Sequence, residues 1–132
     1  MIELDRDAAW RYILEVYARP GVAEVLLREQ QQNGLDIVLH LFFLYADERL
    51  GAGMDEEGRA EALALAKPWR EAVIVPVRNL RKALKELPAP QGTGDAKEAL
   101  RQTVKQAELD SERIVFYALC DWYERRMNAA PR

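Results

Sequence analysis

The stretch Asp36-Ile37-Val38-Leu39-His40-Leu41-Phe42-Phe43-Leu44-Tyr45-Ala46-Asp47-Glu48-Arg49-Leu50 decides the fold. From Ile37 to Tyr45 only His40 interrupts the apolar run, so the segment has almost no polar face. A helix without a polar face is buried on several sides. A buried strand is the alternative reading, but no β-rich neighbour exists for it to pair with. Every flanking segment repeats its apolar residues at three and four rather than two, which is the helical period. The segment over about 36–50 is therefore expected to be the central helix of an all-α protein.

Outward from it, Trp10, Ile13, Leu14 and Tyr17 mark one face of a first helix, about 4–18, with Asp5 or Asp7 as its cap. Arg19-Pro20-Gly21 ends that helix, and Val22, Val25 and Leu26 open a second over about 21–33. Gly34 tolerates left-handed backbone angles and suits the stop, and Asp36 is placed to cap the central helix. After Gly51-Ala52-Gly53 a short helix is expected over about 55–66. Pro68 suits the first turn of another, whose seam reads Trp69, Val73, Val77, Leu80, Leu84 and Leu87. Pro76 should kink that seam, because it removes one backbone hydrogen bond. The 88–94 stretch is expected to be a flexible loop. Asp95 with Glu98 forms an aspartate capping box for a last helix of about thirty residues. Its seam is Leu100, Val104, Ala107, Ser111, Val115, Ala118 and Trp122, with Ile114 to Trp122 buried. The expectation is a single-domain bundle over 1–132, of five to seven helices with a long C-terminal one.

Composition narrows the function classes. The chain has 132 residues, 49% apolar and 31% charged, which gives one domain enough material for a core. A net charge of −3 disfavours general nucleic-acid binding, which shows itself as a strong basic excess. One cysteine, Cys120, excludes an intramolecular disulfide and a cysteine-built metal cage. One histidine excludes His-His metal spacing. Asp55-Glu56-Glu57 with Glu61 lacks the spacing of a calcium loop and reads as the acidic first turn of a helix. The start of the chain lacks the basic flank and apolar stretch of a signal peptide. The longest apolar run is about half of what spans a bilayer. A soluble, cytoplasmic protein without membrane contact is expected, with no catalytic residue, metal or cofactor assigned.

The informative signal is where the charge lies. Residues 1–66 hold 13 acids and 6 bases, whereas residues 67–86 hold 6 bases and 2 acids. At about 100° per residue, Arg78, Arg81, Lys82 and Lys85 share one arc of a helix whose apolar seam points the other way. Three readings stand beside one another. The strip is an ordinary solvated face, or it packs on the acidic first half near Asp47-Glu48 or Asp55-Glu56-Glu57. In the third it docks an acidic partner or anionic ligand through Arg70, Arg78, Arg81, Lys82 and Lys85, with Arg78 and Arg81 as the bidentate contacts.

His40 is the one general-base candidate, with Asp36 and Trp69 as companions in a pocket; the competing reading is a buried histidine with one hydrogen bond. Cys120, beside Asp121, reads as a small packing residue. Most aromatics occupy seam positions and read as core, while Tyr12, Tyr123 and the exposed half of the last helix suit a homo-oligomer interface.

Trp10, Tyr17-Ala18-Arg19-Pro20-Gly21-Val22 and Gly34-Leu35-Asp36-Ile37, followed by Pro68-Trp69-Arg70, Val75-Pro76-Val77-Arg78, Leu80-Arg81 and Leu84-Lys85, form a recognisable series. The series resembles a proteobacterial family of short, helical cytosolic proteins known as a domain of unknown function. The resemblance covers about residues 8–86 and departs from the family's pattern at Val38, where an asparagine is common. It implies that Trp69, Arg70, Arg78, Arg81 and Lys85 belong to one motif, and it implies no activity or cofactor. Together these readings point to a non-enzymatic interaction or regulatory protein that docks an acidic partner through the basic helix face. The alternatives are a small-molecule-binding protein or enzyme with a pocket near His40, Asp36 and Trp69, and nucleic-acid binding through the basic strip.

Overall fold

A computed structural model describes residues 2–51 and 53–129. Among these residues the chain is helical throughout, with no strand: α1 (Arg6–Tyr17), α2 (Val22–Asn33), α3 (Ile37–Arg49), α4 (Glu56–Trp69), α5 (Val75–Glu86) and α6 (Gly94–Ala129). A π-helical turn, Arg70–Ile74, joins α4 to α5 without a break. Among the described residues no helix is long and apolar enough to cross a membrane.

The caps follow the sequence. The Asp5 carboxylate accepts from the amides of Asp7 and Ala8, and Asp36 accepts from Leu39 at 3.1 Å. Gly34 closes α2 at φ 69°, where the Gly34 and Leu35 amides donate back to Gln30 and Glu29. That left-handed turn is the reason for a glycine there.

Two junctions differ from the sequence reading. Pro68 starts no new helix; it lies inside α4. Pro76 causes no break, because the preceding turn widens until the Val75 amide reaches the Arg70 carbonyl five residues back. The widened turn leaves Pro76 in the first turn of α5, where its missing N–H removes little. The capping box at Asp95 is also absent. Helix α6 begins two residues before the start that a cap at Asp95 would set, with the Thr93 carbonyl accepting from Lys97, and Glu98 holds Arg101 and Gln102 instead.

The chain divides into two compact units. The first takes the chain up to Ala66 and again from Phe116; the second is Lys67–Val115. In the first unit the core is aromatic. Phe42, Phe116 and Tyr123 have no exposed surface, and the Phe42 ring lies 5.8 Å from Phe116 and 6.1 Å from Tyr123. Trp10 of α1 meets Phe116 at 5.4 Å, with Ala9, Ile13 and Val16 buried beside it. Tyr123, expected at an oligomer interface, is thus core. Tyr12 instead donates its hydroxyl to Glu48 beneath the Arg49 guanidinium. Asn128 of α6 accepts from the Ile2 amide and donates to the Ile2 carbonyl, while Glu124 accepts from Leu4. One side-chain amide thereby satisfies both backbone groups of the entering strand of chain.

Helix α3 is the buried element expected. Ile37, Val38, Leu39, Leu41, Phe42 and Ala46 are all enclosed. Its solvent edge runs along His40, Phe43, Leu44 and Asp47, spaced at three and four, and His40 and Asp47 are exposed. His40 is therefore neither a buried histidine nor the base of an apolar pocket.

Candidate functional site

The second unit is a hairpin of α5 and the first part of α6, and it contains the whole predicted basic strip. Arg78 is buried, and its Nε donates to Glu108 Oε2 at 3.1 Å while a terminal nitrogen lies 3.8 Å from Glu112. Arg81 Nε donates to the other Glu108 oxygen at 2.5 Å. One carboxylate so joins two guanidiniums, with Glu108 itself 9% exposed. Arginine suits this place because its planar fork keeps its charge when enclosed. Trp69 closes the same interior, its indole N–H donating to the Ser111 carbonyl at 2.9 Å.

Arg78 and Arg81 accordingly fasten the hairpin. Their partners are Glu108 and Glu112 of α6, not the acidic residues of the first half considered from sequence. The sequence places Glu108 four residues after Val104 and three before Ser111, on the seam that Ala107 was assigned to. An acidic residue at a seam position facing a basic strip was the available signal.

Arg70 is half-buried in the π turn, and Lys82 and Lys85 are exposed on α5. Asp36 and His40 stand four residues apart at the start of α3 in the first unit, whereas Trp69 belongs to the second. The structure therefore does not gather the three expected pocket residues within either unit. Among the described residues no group of His, Cys, Asp or Glu is arranged to hold a metal ion. Cys120 is enclosed, and burial, reinforced by Asp121, pushes its thiol up to about 12. Such a thiol is inert at neutral pH, as a packing residue should be.

Two grooves remain. The one in the first unit, about 750 Å³, has Met54, Trp122 and Met127 in its lining. Its central charges are matched internally, since Arg126 reaches both Asp55 and Glu61. The groove in the second unit, about 400 Å³, lies at the hairpin's loop end. Lys85, Lys97 and Arg101 line it with a single carboxylate, Glu98, and Leu84 and Ala89 form its apolar wall. Glu98 is already engaged: the Gln102 amide, and after it Arg101, holds its carboxyl below the usual range. Arg101 turns a terminal nitrogen to Glu98 while its Nε is buried without a hydrogen-bond partner. Buried donors in this state are rare. Lys97 Nζ donates to the Leu87 carbonyl, which places a third cation over the loop.

Lys97 and Arg101 were absent from the sequence-derived strip because they lie on α6, and only the hairpin brings them to Lys85. The Lys67–Val115 unit holds ten bases against seven acids, while the rest of the chain holds nine bases against fifteen acids. The positive balance is therefore local to the hairpin that carries the groove.

The family model for a protein of unknown function, DUF2390, matches residues 8–119, across both helices of the hairpin. The chain belongs to that family. No curated protein and no solved structure matches it.

Proposed function

We propose that the protein is a helical interaction module that holds an acidic segment of a partner protein in the groove of Lys85, Lys97 and Arg101. One observation carries the reading: three cations line a groove with a single carboxylate, and Arg101 pairs with that carboxylate, which leaves the charge of Lys85 and Lys97 in excess. The basic docking strip inferred from sequence is thereby recentred. Lys85 is retained, while Arg78 and Arg81 are bound to Glu108 and Glu112 and stand outside the groove's lining. Leu84 and Ala89 favour a segment that brings an apolar side chain among its carboxylates. Glu98 in the lining disfavours a compact dianion such as phosphate, which would meet it at close range.

The test is fluorescence anisotropy of a labelled peptide that alternates glutamate and leucine, against wild type and the double variant Lys85→Glu/Lys97→Glu. Charge reversal should weaken binding at least tenfold, with helical circular dichroism retained and with binding that falls as salt rises. Undiminished binding in the double variant would overturn the proposal. A DNA or RNA oligonucleotide bound more tightly than the peptide, with a steep salt slope, would replace it with nucleic-acid recognition.

A further inference from the structure

Among the described residues, Arg101 is the one cation lining the second groove that already holds a carboxylate. The contact is a single bond, in which Arg101 Nη1 donates to Glu98 Oε1 at 3.1 Å. The same oxygen accepts from the Gln102 side-chain amide at 2.8 Å. Glu98 precedes these residues by three and four positions on α6, the spacing at which helical side chains meet. The guanidinium is only partly used, since its Nε is buried without a hydrogen-bond partner. The two side chains are also unequally placed. Arg101 is 17% exposed, whereas Glu98 is 59% exposed. The guanidinium is thus set in the groove's wall, and the carboxylate is the member that can leave.

We infer that Glu98 is the groove's resident competitor: it occupies Arg101 until a carboxylate of the acidic segment displaces it. The inference rests on the groove being a site for such a segment. An ion pair as solvated as this one contributes little, because water screens it. An incoming carboxylate can take two parallel N–H bonds from the terminal nitrogens of the fork, and bidentate pairs are the stronger. Glu98 is not stranded by the exchange, because the Gln102 amide keeps its hold on the same oxygen. The competition also selects. Glu98 is tethered three residues away and is always present at the guanidinium, so an isolated carboxylate is at a disadvantage. A segment already held by Lys85 and Lys97 brings its next carboxylate on a tether of its own. Arg101 thereby separates a dense acidic segment from stray single acids.

Fluorescence anisotropy of the same labelled glutamate–leucine peptide tests this. Glu98→Gln should tighten binding at least threefold, with helical circular dichroism unchanged. Asp95→Asn removes an equal charge from the first turn of α6, outside the groove's lining, and should change binding far less. In an Arg101→Gln background the gain from Glu98→Gln should fall to that of Asp95→Asn, because no guanidinium is left to release. If Arg101→Gln loses helicity, Arg101→Met, which keeps a packed stem, takes its place. No gain from Glu98→Gln, a gain that Asp95→Asn matches, or one that persists without Arg101 overturns the inference. The groove reading survives each of those results if Lys85→Glu/Lys97→Glu still abolishes peptide binding. A peptide that binds wild type no better than that double variant overturns the groove reading and this inference with it.

Discussion

At the heart of the first unit Phe42, Phe116 and Tyr123 meet with no exposed surface, while at the heart of the second a glutamate is gripped by two arginines. Both centres use α6, on either side of Val115. The difference lies in what each centre tolerates. An aromatic cluster is held by area removed from water and by edge-to-face geometry, and neighbouring side chains can adjust by small shifts. A buried carboxylate between guanidiniums stands only while every partner is present, because losing one leaves a charge enclosed and unmatched. The second unit has few enclosed apolar side chains, chiefly Ile74, Val104 and Val115, so its ion pairs carry much of the fastening.

The largest effect should come from emptying the aromatic centre. Phe42→Ala is expected to lower stability by about 4 kcal/mol, since a fully enclosed ring leaves a cavity that the helices cannot collapse. A urea-denaturation midpoint measures it. A loss below that of a surface leucine would mean that the rings are not the organising contact of the first unit.

Next comes Glu108→Ala, expected to cost about 3 kcal/mol by leaving two enclosed guanidiniums without their shared carboxylate. A second variant, Arg78→Met/Arg81→Met/Glu108→Leu, sharpens the contrast. Replacing the whole network with apolar residues should recover most of the loss. If the triple variant is as weak as Glu108→Ala, the network supplies packing that apolar side chains do not reproduce.

The smallest effect is reserved for an exposed pair. Arg6 and Asp121 lie 3.2 Å apart with side chains 49% and 52% exposed. Asp121→Asn should shift stability by less than about 0.5 kcal/mol, and less again at high salt. A loss approaching that of Glu108→Ala would erase the distinction between enclosed and solvated pairs on which the comparison rests.

Much of the fold was legible because local chemistry fixed it. The caps at Asp5 and Asp36, the stop at Gly34 and the apolar run of α3 each depend on residues within a turn or two. The errors arose where a local rule met a neighbour in space. Pro76 reads as a break until a π turn absorbs it, and Tyr123 reads as amphipathic surface until Phe42 covers it. Ile114 shows the reverse: grouped with the buried seam, it is more than half exposed. For the candidate groove, Lys85 was visible as part of a basic arc. Its companions Lys97 and Arg101 come from another helix, and no periodicity within α5 could have reported them.

Cys120 makes the first unit observable in time. Its thiol is 1% exposed, is held up to about 12, and is the protein's one sulfhydryl. A thiol-specific reagent at neutral pH can reach it only during an opening that parts the surrounding helices. The labelling rate under excess reagent, divided by that of the unfolded chain, is then the equilibrium constant for opening when reclosing is fast. A mass shift of one adduct thus reports how often the aromatic centre breathes under native conditions, with no engineered probe and no denaturant.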